Sequence, residues 1–216
     1  MPLPPPTAVL LDMDGTAVRH RDPRVLHLLE TLDDWCHVAA RLWPFVRRGP
    51  PRLWAHRLLH RIRRKGVEEI LEPCPGLFPF LAALKRRGIP CALVSNGLGE
   101  GYGHEVLEAF GLGPYFAMTL FRENAPRSKP HPDCLRAALA AMGLSEPSAA
   151  EVIWVVGDRS KDIRAALALA EDVRPARVVP VAYALSAARA ALAAGLSLDN
   201  IVFSYADLLR VVERGT

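Results

Sequence analysis

The chain has 216 residues, of which 50% are hydrophobic and 23% are charged, a composition typical of an ordinary globular protein. No apolar run is long enough to span a membrane, and the start, residues 1–6, lacks the basic and apolar regions of a signal peptide. We expect residues 1–6 to form a frayed, extended tail. The four cysteines are scattered without CxxC spacing, which favours reduced thiols over disulfides or a zinc site. These features predict a cytoplasmic protein.

The net charge of +4 is unevenly distributed along the chain. Residues 19–66 hold twelve basic and four acidic residues, a net charge of +8, whereas the rest of the chain carries −4. One interpretation is a solvated helical face, and the other is a surface for an anionic substrate or partner. The sequence leaves both open.

The predicted elements begin with a buried strand that ends at Leu11. Apolar residues then recur at helical spacing over 23–47 and again over 53–66, which predicts a helical hairpin with its own small core. We therefore assign 19–73 to a small all-helical cap, and 1–18 with 74–216 to a core domain.

Beyond residue 75, helices alternate with continuously apolar strands. The predicted helices lie at 76–87, 105–110, 134–142, 163–170, 187–194 and 206–213. The predicted strands lie at 90–94, 115–120, 152–156, 178–182 and 201–203. Alternation of this kind predicts an α/β fold with a parallel sheet and helices on both faces.

Polar residues stand where the predicted strands end and in one nearby loop, which is where open parallel sheets bind ligands. They are Asp12, Asp14, Ser95, Asn96, Lys129, Asp158 and Asp162. Buried carboxylates require a cation, hydrogen bonds or a function, and aspartates suit a hard cation such as Mg²⁺. A serine and an asparagine at a helix start suit phosphate oxygens, and a lysine can neutralise them. Together these residues predict a phosphoryl-transfer site.

Four motifs that carry these residues occur in the order known for one superfamily. The run from Asp12 to Thr16 (DMDGT) resembles the first motif of the haloacid dehalogenase superfamily, and VSNG over 94–97 resembles the second. SKPHPD over 128–133 is similar to the third, and VVGDRSKDI over 155–163 is similar to the fourth. The resemblance implies a Rossmann-like core, and it implies that the basic hairpin is a cap inserted between the first two motifs, as in phosphoglycolate-phosphatase-like members.

The resemblance also implies a division of work between the first two aspartates. Asp12 is expected to be the nucleophile that forms an aspartyl-phosphate. Asp14 is expected to protonate the leaving alkoxide and then to activate water, while its backbone carbonyl ligates Mg²⁺. Dehalogenases lack an acid at this position because a halide leaves without a proton, so Asp14 favours phosphate esters.

The remaining residues are expected to bind phosphate and metal. Ser95 and Asn96 are assigned to the phosphoryl oxygens, through the Ser95 hydroxyl and the following backbone N–H. Lys129 is expected to orient Asp12 and to screen charge. Asp158 is assigned to Mg²⁺ together with the first two aspartates, and Asp162 to a supporting role that holds Lys129 or a metal-bound water.

These roles predict a Mg²⁺-dependent phosphoric monoester hydrolase acting on a small phosphorylated metabolite, with neither a membrane nor a nucleic acid as its partner. Two alternatives remain open. One is a phosphomutase of the β-phosphoglucomutase type, and the other is a binding module whose basic cap docks on nucleic acid or an acidic partner while activity is vestigial. Cap arginines are candidates for recognising a second anionic group on the substrate. They are Arg19, Arg21, Arg47 and Arg48.

Overall fold

The computed structural model describes residues 3–21 and 66–214. The chain divides into two compact units, Met1–Arg19 with Pro73–Thr216 and, separately, His20–Glu72. The helical hairpin predicted over 23–66 lies almost entirely outside the described residues. The element labels used here count the described elements alone.

Eight strands are described. They are β1 (Ala8–Leu11), β2 (Val18–His20), β3 (Leu71–Pro73), β4 (Cys91–Val94), β5 (Met118–Leu120), β6 (Val152–Gly157), β7 (Arg177–Tyr183) and β8 (Ile201–Val202). Six of them form one sheet in the order β5-β4-β1-β6-β7-β8, in which every neighbouring pair is parallel. A separate two-stranded sheet joins β2 and β3. The predicted parallel α/β sheet is therefore confirmed.

The register of the sheet sets the carboxyl ends of three strands level with one another. Leu11, the last residue of β1, pairs with Leu93 of β4 and with Val156 of β6. Because β4 and β6 each continue by one residue, Asp12 leaves the sheet beside the ends of both strands. The three polar motifs that follow these strands consequently meet at one edge.

The central strands are apolar at every position, without alternating polar residues, because both faces of the sheet are buried. Ala8 and Leu10 belong to a core cluster with the helical residues Leu135 and Leu169 on one side of the sheet. Val9 and Leu11 alternate to the opposite face and are equally buried. A strand covered on both sides must be apolar throughout, as the sequence is here.

Seven helices flank or connect these strands in the described part of the chain. They are α1 (Val67–Ile70), α2 (Leu77–Arg86), α3 (His104–Ala109), α4 (Asp133–Ala141), α5 (Ser160–Asp172), α6 (Ala184–Ala193) and α7 (Tyr205–Arg214). None of these described helices is long and apolar enough to cross a membrane. The predicted strand at 115–120 is too long at its start, because Gly113–Tyr115 forms a 3₁₀ turn.

The proline-rich start does not fray over its described residues, contrary to the sequence-based expectation. The indole Nε1 of the fully buried Trp154 donates to the carbonyl of Pro4 at 2.9 Å, and Pro6 is buried. Thr7 continues the contact, since its N–H donates to Val152 O at 2.8 Å. A buried indole N–H needs an acceptor, and this segment supplies it.

Candidate active site

A tight turn carries the first motif away from β1. The carbonyl of Met13 accepts N–H bonds from Ala17 and Val18, at 2.9 and 3.0 Å, and this folds the chain back at once. Gly15 lies at the bend with φ +86°, and a Cβ on it would stand 2.2 Å from Asp158 Oδ2. The turn therefore needs glycine at this position for two reasons: the positive φ of its backbone, and the close approach of Asp158 from the fourth motif.

Lys129 lies at the centre of the site. It is 4% exposed, and its ammonium contacts the Asp12 carboxylate, Asp162 Oδ1 at 2.7 Å and Val94 O at 2.8 Å. Burial works to lower the pKa of Lys129, but the carboxylates of Asp12 and Asp162 outweigh it and raise the pKa above its usual value. Lys129 is therefore charged and holds two buried carboxylates together.

A side chain of the second motif, that of Asn96, binds the main chain of Lys129 and holds it in place. Asn96 Nδ2 donates to Lys129 O at 2.8 Å, and Asn96 Oδ1 accepts the Lys129 N–H at 3.0 Å. The Asn96 side chain is thus engaged with the third motif, while the preceding Ser95 Oγ accepts the N–H of Gly97 at 2.9 Å. The sequence placed both residues at the phosphate, and the paired amide contact adds a bracing role that the sequence did not indicate.

Three carboxylates could hold a metal ion. One oxygen each from Asp12, Asp158 and Asp162 lie within 4.8 Å of one another. Asp158 Oδ1 is buried and has no hydrogen-bond partner among the described residues. Burial and the nearby Asp12 raise the pKa of Asp158 to about 7, and burial raises the pKa of Asp12 to about 6 although Lys129 lowers it. A buried carboxylate oxygen without a donor, beside a second carboxylate, suits a hard divalent cation.

Asp14 and Asp162, predicted to bind the metal through a backbone carbonyl and to support the site, make further contacts through their side chains. Asp14 contributes no side-chain oxygen to the cluster of three carboxylates; its Oδ1 instead accepts the Tyr102 hydroxyl at 2.5 Å. Asp162 Oδ2 accepts the Arg159 N–H at 3.0 Å and caps α5, while its other oxygen faces Lys129. The contact of Asp162 with Lys129 is one of the two alternatives predicted for this residue.

Tyr102 is the site residue that the sequence reasoning missed. It belongs to a glycine-rich segment after the second motif, Gly99–Gly103, and it is 6% exposed. The sequence around it gave no indication of this role, since one tyrosine among three glycines matches no motif. Among the candidate arginines, Arg47 and Arg48 lie outside the described residues, and Arg21 Nε donates to Leu71 O at 3.2 Å.

The sheet order and the four motifs at its carboxyl edge define a class of hydrolase. A family model described as haloacid dehalogenase-like hydrolase matches residues 6–169, and the chain belongs to that family. The sequence resemblance is therefore confirmed.

The chain is also similar in sequence to curated proteins that are named phosphoglycolate phosphatase. The phosphoglycolate phosphatase of Escherichia coli (strain K12) is 32% identical over 116 residues, which are 52% of this chain and 44% of the relative. The phosphoglycolate phosphatase of Neisseria meningitidis serogroup A is 34% identical over 105 residues, 49% of this chain and 43% of the relative. The matched part of the chain thus spans less than half the length of these relatives.

Alignments to solved structures cover nearly the whole chain. A putative phosphoglycolate phosphatase from Lactobacillus delbrueckii subsp. bulgaricus has a TM-score of 0.65 and 17% identity, covering 95% of this chain and 98% of the other. A CbbY mutant from Rhodobacter sphaeroides, in complex with xylulose-(1,5)bisphosphate, has a TM-score of 0.62 and 20% identity, covering 94% and 96%. At these identities the likeness establishes the fold.

Proposed function

We propose that this protein is a Mg²⁺-dependent phosphatase that hydrolyses a small phosphorylated metabolite in the cytoplasm, through an aspartyl-phosphate on Asp12. The observation that carries the proposal is the buried contact of Lys129 with Asp12 and Asp162, beside the unpartnered oxygen of Asp158. Such a cluster gives a fixed nucleophile, a fixed positive charge and a carboxylate oxygen that could bind a metal, all at one sheet edge. Phosphoryl transfer through an aspartyl-phosphate uses a nucleophilic carboxylate, a positive charge beside it and a metal ligand.

The metal would be held by the carboxylates of Asp12 and Asp158 and by the backbone carbonyl of Asp14. When bound, Mg²⁺ neutralises charge on the phosphoryl oxygens. Asp162 stays with Lys129, which keeps the ammonium next to the nucleophile. Gly15 lets the two ligand-bearing loops approach, because any side chain there would collide with Asp158.

Each side chain of the site has its own role in the reaction. An Asp12 oxygen attacks phosphorus, and the bond from phosphorus to the leaving oxygen breaks while Asp14 donates its proton to that oxygen. Lys129 holds Asp12 in place and offsets the charge of the transferred group. Ser95, at the end of β4, donates to a phosphoryl oxygen. Asp14, now a carboxylate, takes a proton from the water that hydrolyses the aspartyl-phosphate.

The charge of the chain and the names of its relatives support one class of substrate. The +8 segment at 19–66 favours a phosphate monoester that carries a second anionic group, and relatives of this chain are named phosphoglycolate phosphatase. The test is release of inorganic phosphate from a panel of phosphate monoesters, 2-phosphoglycolate among them, with and without Mg²⁺. We expect Mg²⁺-dependent release from at least one monoester, and no release from any of them would refute the proposal.

Mg²⁺ is expected to stabilise the protein more at about pH 8 than at about pH 5.5. Folding raises the pKa of Asp158 to about 7 and that of Asp12 to about 6, from 3.8 for an ordinary aspartate. The folded metal-free protein therefore binds more protons than the unfolded chain, and these groups make its free energy of unfolding fall as pH rises from about 4 to about 7. Protons and metal compete for the same oxygens, so the metal-induced increase in Tm grows over this range.

Thermal unfolding with and without Mg²⁺ at the two pH values measures this effect. Asp158→Asn removes one competing carboxylate and should lose most of the stabilisation at the higher pH. A metal-induced increase in Tm that is the same at both pH values would contradict the assignment of these two carboxylates as ligands.

A further inference from the structure

The hydroxyl of Tyr102 donates to Asp14 Oδ1 at 2.5 Å, across 88 residues of sequence. We propose that Tyr102 is a positioning residue that orients the Asp14 carboxyl group for proton transfer to the leaving group. The inference rests on the proposed phosphatase function and adds to it a residue outside the four motifs.

The geometry around Asp14 shows which oxygen is left to react. Oδ1 is occupied by the tyrosine hydroxyl. Oδ2 lies on the side of the phosphate-binding motif, because a Cβ on Gly97 would stand 3.4 Å from Asp14 Oδ2 and 3.1 Å from Ser95 Oγ. The same point is 3.8 Å from the Tyr102 ring. Tyr102 and Gly97 thus bound the carboxyl group and direct Oδ2 towards the phosphate site.

The segment that carries Tyr102 is fixed by a neighbouring acid. Glu123 Oε1 accepts the N–H groups of Gly99 and Glu100 at 2.7 and 2.9 Å. Burial works to raise the pKa of Glu123, but the N–H bonds outweigh it and the pKa is lowered. Directly after the segment the His104 ring packs edge-on against Phe121, with centroids 4.9 Å apart. The tyrosine is therefore held in place by contacts that do not involve Asp14.

The contact matters for one bond-breaking step. As the phosphorus–oxygen bond to the leaving group breaks, the proton on Asp14 Oδ2 moves to the leaving oxygen, which departs as an alcohol or phenol. The Asp14 carboxylate that remains keeps its hydrogen bond from Tyr102. A carboxyl group free to rotate would present Oδ2 to the leaving oxygen for only part of the time, so loss of the contact slows this step.

The test is Tyr102→Phe on a series of para-substituted phenyl phosphates, which bind alike but differ in the basicity of the leaving phenolate. The readout is kcat/KM, which reports the steps up to loss of the phenol. We expect a loss of less than ~3-fold for the 4-nitrophenyl ester, which needs little protonation, and about 10-fold or more for the 4-methylphenyl ester. An equal loss along the series, or none, would overturn the inference.

Two sets of controls separate positioning from structural damage. Tyr205→Phe removes another buried tyrosine hydroxyl, which donates to Thr16 O at 2.8 Å. This variant should lower kcat/KM by the same factor for every ester. Glu123→Ala should reproduce the unequal loss of kcat/KM along the series. Glu123→Gln keeps an acceptor oxygen for the two N–H groups and should therefore keep kcat/KM near the wild-type values. If the wild-type protein hydrolyses none of these esters, nor any in the broader panel, the proposed function itself fails. Hydrolysis by the wild type with an unchanged dependence on leaving group in Tyr102→Phe refutes the positioning role alone.

Discussion

Replacing Asp12 with asparagine is expected to lower kcat for 4-nitrophenyl phosphate by about 10⁴-fold or more. The amide has no negative charge with which to attack phosphorus, and it cannot form the mixed anhydride with phosphate. The carboxylate also contributes to the proposed metal site, so Mg²⁺ affinity should fall in the same variant. Steady-state turnover in saturating Mg²⁺ separates the chemical loss from the weaker metal binding.

The Asp12→Asn protein should still fold. Asparagine has nearly the shape of aspartate, its burial carries no cost of desolvating a charge, and Lys129 retains Asp162. We expect a Tm within about 4 °C of the wild-type value. Asp207→Asn makes the same change on the surface, where the carboxylate pairs with Arg210, and should leave turnover unchanged. Wild-type turnover by Asp12→Asn would exclude Asp12 as the nucleophile.

Lys129→Met is expected to give the largest loss of stability, about 3–5 kcal/mol in the free energy of unfolding. Methionine fills much of the space of the lysine stem, but it leaves the carboxylates of Asp12 and Asp162 buried without their counter-charge. Val94 O loses its donor as well. Activity should fall with stability, because Asp12, the proposed nucleophile, loses the ammonium group that holds it in place.

Chemical unfolding of three variants checks the cause of this loss. Lys85→Met changes an exposed lysine and should cost less than about 1 kcal/mol. Lys129→Met combined with Asp162→Asn should be more stable than Lys129→Met alone, since one of the two uncompensated carboxylates is then neutral. If the double variant is the less stable of the two, the uncompensated charge of the buried carboxylates is not the cause.

The sheet could be predicted from the sequence because its strands are buried on both faces. Val152–Gly157 and Cys91–Val94 are apolar runs that end in polar motifs, and a parallel sheet brings those ends to one edge. The positions of Asp12 and Asp158 followed from this rule alone. Their roles came from the four motifs and remain proposals.

Contacts that join distant segments through side-chain geometry could not be predicted in this way. The paired amide contact of Asn96 with Lys129 depends on two loops meeting in one orientation. The contact of Tyr102 with Asp14 depends on the fixed shape of a glycine-rich segment. The docking of Pro4 depends on the need of the Trp154 indole for an acceptor. None of these contacts has a sequence period or spacing that marks it.

The central claim is that Asp12 carries the phosphoryl group, and chemical trapping tests it most directly. In Asp14→Asn, water activation is lost, and 4-nitrophenyl phosphate needs little protonation to leave, so the covalent intermediate should accumulate. We expect peptide mass analysis after an acid quench to find one phosphate on the peptide that contains Asp12, removable by hydroxylamine. Phosphate on a different residue, or burst release of 4-nitrophenol with no phosphate on the protein, would contradict the account.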